Sequence, residues 1–276
     1  GTCMLSEYLS RKIMKRSNTL GDLSAVVTGL LLAFNLPVSI PLWQAAIGSV
    51  IAIVVVKQLF GGIGQNFVNP AITGRIILMV SFPTAMTTWI KPLLWLDKGA
   101  EAVTTATPLT MLTKGGELSD GLPSLVDMLI GIRGGSLGET CAVALIIGGV
   151  YLMIRKIISP AIPLSFIGTV AVIMLIAGKG SFTFVAYQLL SGGLMLGAFF
   201  MATDYTTSPI NLKGRIIFGI GCGLLTSFIR LFGSLPEGVS FSIILMNILV
   251  PHIEHLTTPK PFGTVKEKKK KGAEKA

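Results

Sequence analysis

Apolar stretches recur along the chain between short polar breaks, near residues 22–40, 41–60, 71–90, 138–154, 161–177, 183–201, 215–232 and 238–254. Each comes close to the roughly 20 residues that an α-helix needs to cross a bilayer. The runs are continuous, whereas the strands of a membrane barrel would alternate apolar and polar positions. The pattern predicts an all-α polytopic membrane protein with about eight transmembrane helices, folded as a single membrane domain over residues 1–276. Three places depart from it. The polar connection at about 91–137 is too long for a turn. Its apolar piece Leu122–Ile132 is too short to cross, as a re-entrant or interfacial segment would be. Gly61–Pro70 and Ala202–Lys213 are further breaks, where Gly and Pro can interrupt helices that line a cavity. Pro70-Ala71-Ile72-Thr73-Gly74-Arg75-Ile76-Ile77 also echoes Pro209 with Gly214-Arg215-Ile216-Ile217, a short internal match in parallel orientation.

Composition narrows the class. The chain is 51% apolar and only 13% charged, with a mean hydropathy of +0.74. Soluble domains carry about 25% charged residues, so disorder, a coiled coil, a DNA-binding domain and an ordinary soluble enzyme are set aside. The 32 glycines suit close helix approach in lipid. The net charge is +10, and its placement matters more than its sum. Arg11, Lys12, Lys15 and Arg16 precede the first span, and the tail at about 256–276 holds Lys266-Glu267-Lys268-Lys269-Lys270-Lys271. Basic flanks mark the cytoplasmic side, so both chain ends are expected there and the 91–137 loop outside. The polybasic tail reads as a lipid-facing end, with no nucleic-acid partner. No secretory leader is read at the start, and the opening at Gly1 without a Met suggests a missing natural start.

The residues that could carry chemistry each have a bland reading beside them. Cys3, Cys141 and Cys222 form no CxxC pair and read as small packing residues, not metal ligands. His252 and His255 read as interfacial. Arg75 and Arg215 are expected at the cytoplasmic boundary, beside lipid phosphates. Asp204 ends an apolar run next to Thr203, Thr206, Thr207 and Ser208. It reads as a helix cap or as part of an oxygen cluster serving a cation path such as one for Na⁺. Glu139 has the same two readings. The turn Arg133-Gly134-Gly135-Ser136 offers backbone N–H groups that could receive a phosphate. Thr104, Thr105 and Thr107 crowd one polar loop and read, on composition alone, as hydroxyls capping a turn.

Resemblance adds to this. Glu101-Ala102-Val103-Thr104-Thr105-Ala106-Thr107 resembles the flavin-attachment motif of the RnfD/NqrB family, Asp-Gly-x-Ser/Thr-Gly-Ala-Thr, with departures at Glu101, Ala102 and Thr105. Gly61-Gly62-Ile63-Gly64-Gln65-Asn66-Phe67-Val68-Asn69-Pro70-Ala71 is similar to a second family signature. Three further segments match in order: Gly134-Gly135-Ser136-Leu137-Gly138-Glu139-Thr140, then Leu196 to Asp204 with Ser208-Pro209, then Glu237-Gly238-Val239-Ser240-Phe241 with Leu245-Met246-Asn247. The likeness spans nearly the whole chain and favours the Rnf branch.

The resemblance implies a ten-helix family fold, with residues 1–13 as the end of the second span and about two helices upstream. It implies a membrane subunit of an ion-pumping redox complex in the prokaryotic cytoplasmic membrane, catalytic only within the complex. Electrons would pass between reduced ferredoxin and NAD through FMN held covalently at Thr107 as a phosphoester, with coupled Na⁺ or H⁺ translocation. Noncovalent riboflavin is a second implied cofactor. Thr104, Thr105, Ser136, Gly138, Glu139 and Asp204 are the further cofactor-site candidates. The implied partners are membrane subunits A and E, flavoprotein G, and iron–sulfur subunits B and C. Two other readings stand beside it: a small-solute channel or carrier of urea-transporter-like fold, and the equivalent B subunit of a Na⁺-translocating NADH:quinone reductase.

Overall fold

A computed structural model describes residues 1–90, 107–112, 122–233 and 237–259. Thr104 and Thr105, most of the 91–137 loop and the basic tail lie outside the described residues. Among those described, every regular element is helical. In chain order these are α1 (Thr2–Ile13), α2 (Ser24–Phe34), α3 (Leu42–Val50, continuing in wider π-type turns over Ile51–Gln58) and α4 (Pro70–Ser81). The short α5 (Pro83–Thr87), α6 (Pro108–Met111) and α7 (Leu125–Ile130) follow. Then come α8 (Ala142–Ile154), α9 (Ala161–Ala177), α10 (Phe182–Leu190) and α11 (Leu194–Leu196, continuing over Gly197–Met201). The chain closes with α12 (Leu212–Phe232) and α13 (Val239–Thr257).

The all-helical character expected from the pattern is borne out, and the apolar runs form helices of unequal length. Among the described residues, α12 and α13 alone are long and apolar enough to cross by themselves, and α10 with α11 makes a third candidate bent by 67°. Five other apolar helices run 10–17 residues. The difference has local causes. The run at 183–201 is cut where Gly192 takes φ +65°, a left-handed conformation that favours glycine. The run at 71–90 is cut at Phe82, with Pro83 opening α5. The start of α4 is set by Asn69, whose side chain accepts from Ala71 N (3.0 Å) and Ile72 N (3.2 Å), with Pro70 in the first turn. Inside the long loop, Ser124 and Asp127 form a capping box for α7, which stops at Gly131.

Packing uses the glycines as the composition suggested. Gly219 and Gly223 of α12 face Ser165 and Thr169 of α9, and a Cβ at Gly223 would come within 2.6 Å of Thr169 Cβ. Helices this close gain dispersion contacts and lipid release, the main drives for association in a bilayer. Phe166, Phe184, Phe218, Met174 and Ile243 are fully buried between them. Leu164, Val172 and Ile176 point outward from α9, as lipid-facing positions do.

The connections sort to two ends. At one end, Arg16 Nη1 donates to Gln58 O (3.1 Å), Asn66 Nδ2 to Thr206 Oγ1 (3.0 Å), Tyr205 to Ile157 O, and Ile210 N to Glu254 Oε1 (3.1 Å). The breaks at 61–70 and 202–213 therefore meet here. Asn247 of α13 joins them, accepting from Asn69 N–H (3.1 Å) and donating to Thr207 O (3.0 Å). Residues 13–16 and the last turn of α13 share this end. The opposite end holds residues 107–112, 122–141, 190–193, 230–233 and 237–239.

Candidate functional site

The second end is built around charged side chains that the chain has buried. Arg75, Arg133, Arg230 and Glu139 are 3%, 4%, 8% and 2% exposed. A buried charge survives only when other groups replace its water, so their partners define the site. Arg75 ion-pairs with Glu237 and donates from Nη1 to Asn35 Oδ1 (2.6 Å). Arg133 donates from Nε to Thr140 O (3.1 Å) and from its two terminal nitrogens to Leu190 O and Glu139 O. Arg230 donates from Nη1 to Gln188 O (2.6 Å) and from Nη2 to Ser191 O (3.1 Å). Two of the three guanidinium groups thus take the carbonyls left open where α10 stops. Glu139 accepts from Ser136 Oγ at 2.6 Å and interacts electrostatically with all three arginines. A Cβ at Gly193 would lie 3.5 Å from Arg75 Nη1 and 3.6 Å from Glu139 Oε2. The broken helix and the four charges therefore meet at one point.

Three expectations need correction here. Arg75 is not at a lipid boundary: it is buried and paired across the bundle, whereas Arg215 is half-buried and donates to Pro209 O (3.1 Å). The echo between the two segments does not extend to their surroundings. The turn after Arg133 does not present an open phosphate cradle. Gly135 abuts the Glu139 carboxylate, with Oε1 2.7 Å from where a Cβ would sit, so the chain's own anion fills that place. Gly138 lends its N–H to Phe34 O (2.7 Å) and packs against the Phe34 ring, a close approach that needs glycine.

Thr107 lies at the same end, 6% exposed. It occupies the N-cap position of α6, and its side chain makes no capping hydrogen bond to that helix. Two residues on, Leu109 is buried against Gly192. A Cβ there would lie 3.2 Å from Leu109 Cδ2 and 3.3 Å from Arg230 Nη2. The Thr107 segment and Arg230 thus approach one glycine of the break from two sides.

Asp204 belongs to the other end and is not joined to Thr107, Ser136 or Glu139. Thr206 and Thr207 donate to its Oδ2 at 3.0 and 3.2 Å, the oxygen cluster the sequence suggested. It borders a cavity of about 440 Å³ whose walls include Lys57, Asn66, Asn69, Phe199 and Tyr205. Lys57, inside the apolar run at 41–60, is 3% exposed. Its Nζ donates to Glu7 Oε2 (3.0 Å) and Oε1 (3.3 Å), and Glu7 also accepts from Gln58 (2.9 Å) and Thr19 (2.8 Å). Sequence reasoning passed over Glu7, Lys57, Arg230, Gln188 and Asn35 as site residues. A lone ionisable residue inside an apolar run was the available signal.

Comparison with known proteins decides the family. The model described as NQR2, RnfD, RnfE family matches residues 1–263. The chain belongs to this family. Within the NQR2, RnfD, RnfE family it is 48% identical over 274 residues to the D subunit of the Na⁺-translocating ferredoxin:NAD⁺ oxidoreductase complex of Acetobacterium woodii, covering 97% of this chain and 82% of that protein. It is 46% identical over 270 residues to the D subunit of the proton-translocating ferredoxin:NAD⁺ oxidoreductase complex of Clostridium ljungdahlii, covering 95% and 81%. It is 37% identical over 296 residues to the D subunit of the ion-translocating oxidoreductase complex of Escherichia coli K12, covering 95% and 84%.

Proposed function

We propose that this protein is the D-type membrane subunit of an ion-translocating ferredoxin:NAD⁺ oxidoreductase complex, and that it relays electrons through FMN bound covalently at Thr107. Membership of the family and the names of the relatives support the first part. The position of Thr107 supports the second: its segment is docked against the α10–α11 break, opposite a guanidinium group. A phosphoester brings negative charge into a place with little water, and that charge needs compensation. The residues present fit such a group. Arg75 Nε, Arg230 Nε and Ser191 Oγ are buried without a hydrogen-bond partner among the described residues, in a site rich in donors.

The flavin supplies the electron exchange when bound. This chain's residues hold and orient it. Leu109 and Gly192 fix the height of the attachment segment against the bundle. Arg133 and Arg230 tie the end of α10 to α12 and to the 133–140 loop. The cavity beside Asp204, with Phe199 and Tyr205 in its walls and the amides of Asn66 and Asn69 at its edge, suits a noncovalent flavin such as riboflavin at the other end. The carboxylate and hydroxyls around Asp204 suit a Na⁺ or H⁺ path. In this reading the family's ten-helix fold contributes about eight crossings here, some as half-helices. The basic end faces the cytoplasm of a prokaryotic cell and the Thr107 end faces outward. Membrane subunits A and E, flavoprotein G and iron–sulfur subunits B and C are the partners in this reading, with the iron–sulfur and nucleotide sites lying on partner subunits.

Peptide mass spectrometry of the natively assembled complex tests the assignment. The peptide containing Thr107 is expected to carry FMN, and Thr107→Ala to abolish the fluorescent band of this subunit on denaturing gels. An unmodified Thr107 peptide from that complex would reject it.

A further inference from the structure

Among the described residues, the cluster at the α10–α11 break sets three guanidinium groups, Arg75, Arg133 and Arg230, against two carboxylates, Glu139 and Glu237. One net positive charge remains where solvent is scarce, before the phosphoester of the reading above is counted. Simple helix stapling does not require it. A neutral side chain could bond the open carbonyls at the end of α10, and a buried ion is costly compared with an apolar or neutral polar replacement. The excess charge also has unused capacity, because Arg75 Nε and Arg230 Nε lack partners among the described residues, as does the fully buried Ser191 Oγ. Arg230 approaches the attachment segment, sharing Gly192 with Leu109.

We propose that this cluster is an anion-stabilising site that favours the reduced, negatively charged form of the flavin tethered at Thr107, with Arg230 and Glu139 as the positioning residues that set its potential. The inference rests on the flavin reading above. Uptake of two electrons, supplied by the iron–sulfur donors of the complex, and one proton from water leaves one negative charge on the flavin ring. A nearby positive charge in low dielectric lowers the free energy of that product and leaves the neutral oxidised ring nearly unaffected. Glu139, interacting with all three arginines, acts with the opposite sign and limits the effect.

Opposite signs give the test. Midpoint potentials of the covalent flavin are measured by spectroelectrochemistry on the whole purified complex carrying Arg230→Gln, Arg230→Lys or Glu139→Gln. Arg230→Gln is expected to disfavour the reduced form at least about tenfold, a fall of ~30 mV for a two-electron couple. Arg230→Lys keeps the charge and is expected to stay near the wild type. Glu139→Gln, which can still accept from Ser136, is expected to raise the potential by a similar amount. Unmoved potentials, or shifts of the same sign for Arg230→Gln and Glu139→Gln, would overturn the proposal and leave a purely structural cluster. Should Arg230→Gln fail to assemble, an unchanged or lowered potential in Glu139→Gln overturns it alone. Failure of the flavin reading is separate, since a wild-type protein without a fluorescent band would show it before any potential is measured.

Discussion

Single residues in this chain are buried with unusual commitments, and two give direct predictions. Lys57 and Glu7 face each other at 3.0 Å with side chains 4% and 1% exposed. Removing one partner strands the other charge, at about 3–5 kcal/mol, whereas replacing both costs much less. Lys57→Met should therefore lower the melting temperature of the purified complex sharply, and Lys57→Met with Glu7→Gln should recover most of it. A double variant as unstable as the single would reject the pairing argument. Asp204 differs: it is half-buried and held by hydroxyls, so Asp204→Asn should assemble normally. Losing a charge-assisted contact of about 1.5–3 kcal/mol should slow ion-coupled turnover about tenfold or more. Normal ion uptake by vesicles carrying that variant would sink the ion-path reading.

Among elements, the α9–α12 contact depends on having no side chain at Gly219 and Gly223. Gly223→Val would push into Thr169 Cβ and the Phe166 carbonyl, 2.6 and 3.0 Å from the Cβ position. Overpacking costs typically about 1–3 kcal/mol, so the variant should assemble poorly, and Gly168→Ala, which meets nothing within 4 Å, should not. Equal yields of the two on native gels would contradict this. The glycine-rich packing and the breaks at 61–70 and 202–213 were legible in the sequence, because Gly and Pro announce themselves. The break at 191–193 was not, because Ser191-Gly192-Gly193 lies between apolar residues and reads as one more small-residue contact. Arg75 was misplaced because its carboxylate partner, Glu237, lies 162 positions away, and no local pattern reports that distance. Ser136 and Glu139 were both candidates because they share one family-like segment, 134–140; that Arg230 joins them depends on where α10 ends.

For the whole molecule, the meeting of the basic connections at one end, with residues 13–16 and the last turn of α13, carries a topology prediction. A cysteine placed in the tail after Thr258 should react with membrane-impermeant maleimide only after intact cells are opened; ready labelling from outside would reverse the orientation. The two polar regions are also mechanically linked. The segment Leu194–Met201 begins beside Gly193 in the arginine cluster and leads to Thr203 and Asp204 at the cavity. Eight residues at helical rise make a strut about 12 Å long, clasped by Val239 at Gly197 and buried along most of its length. Close-packed interiors compress little. An axial push on the strut at Gly193 would therefore be passed toward Asp204, so the piece of backbone that looks most like an interruption is well placed to make the two polar regions move as one.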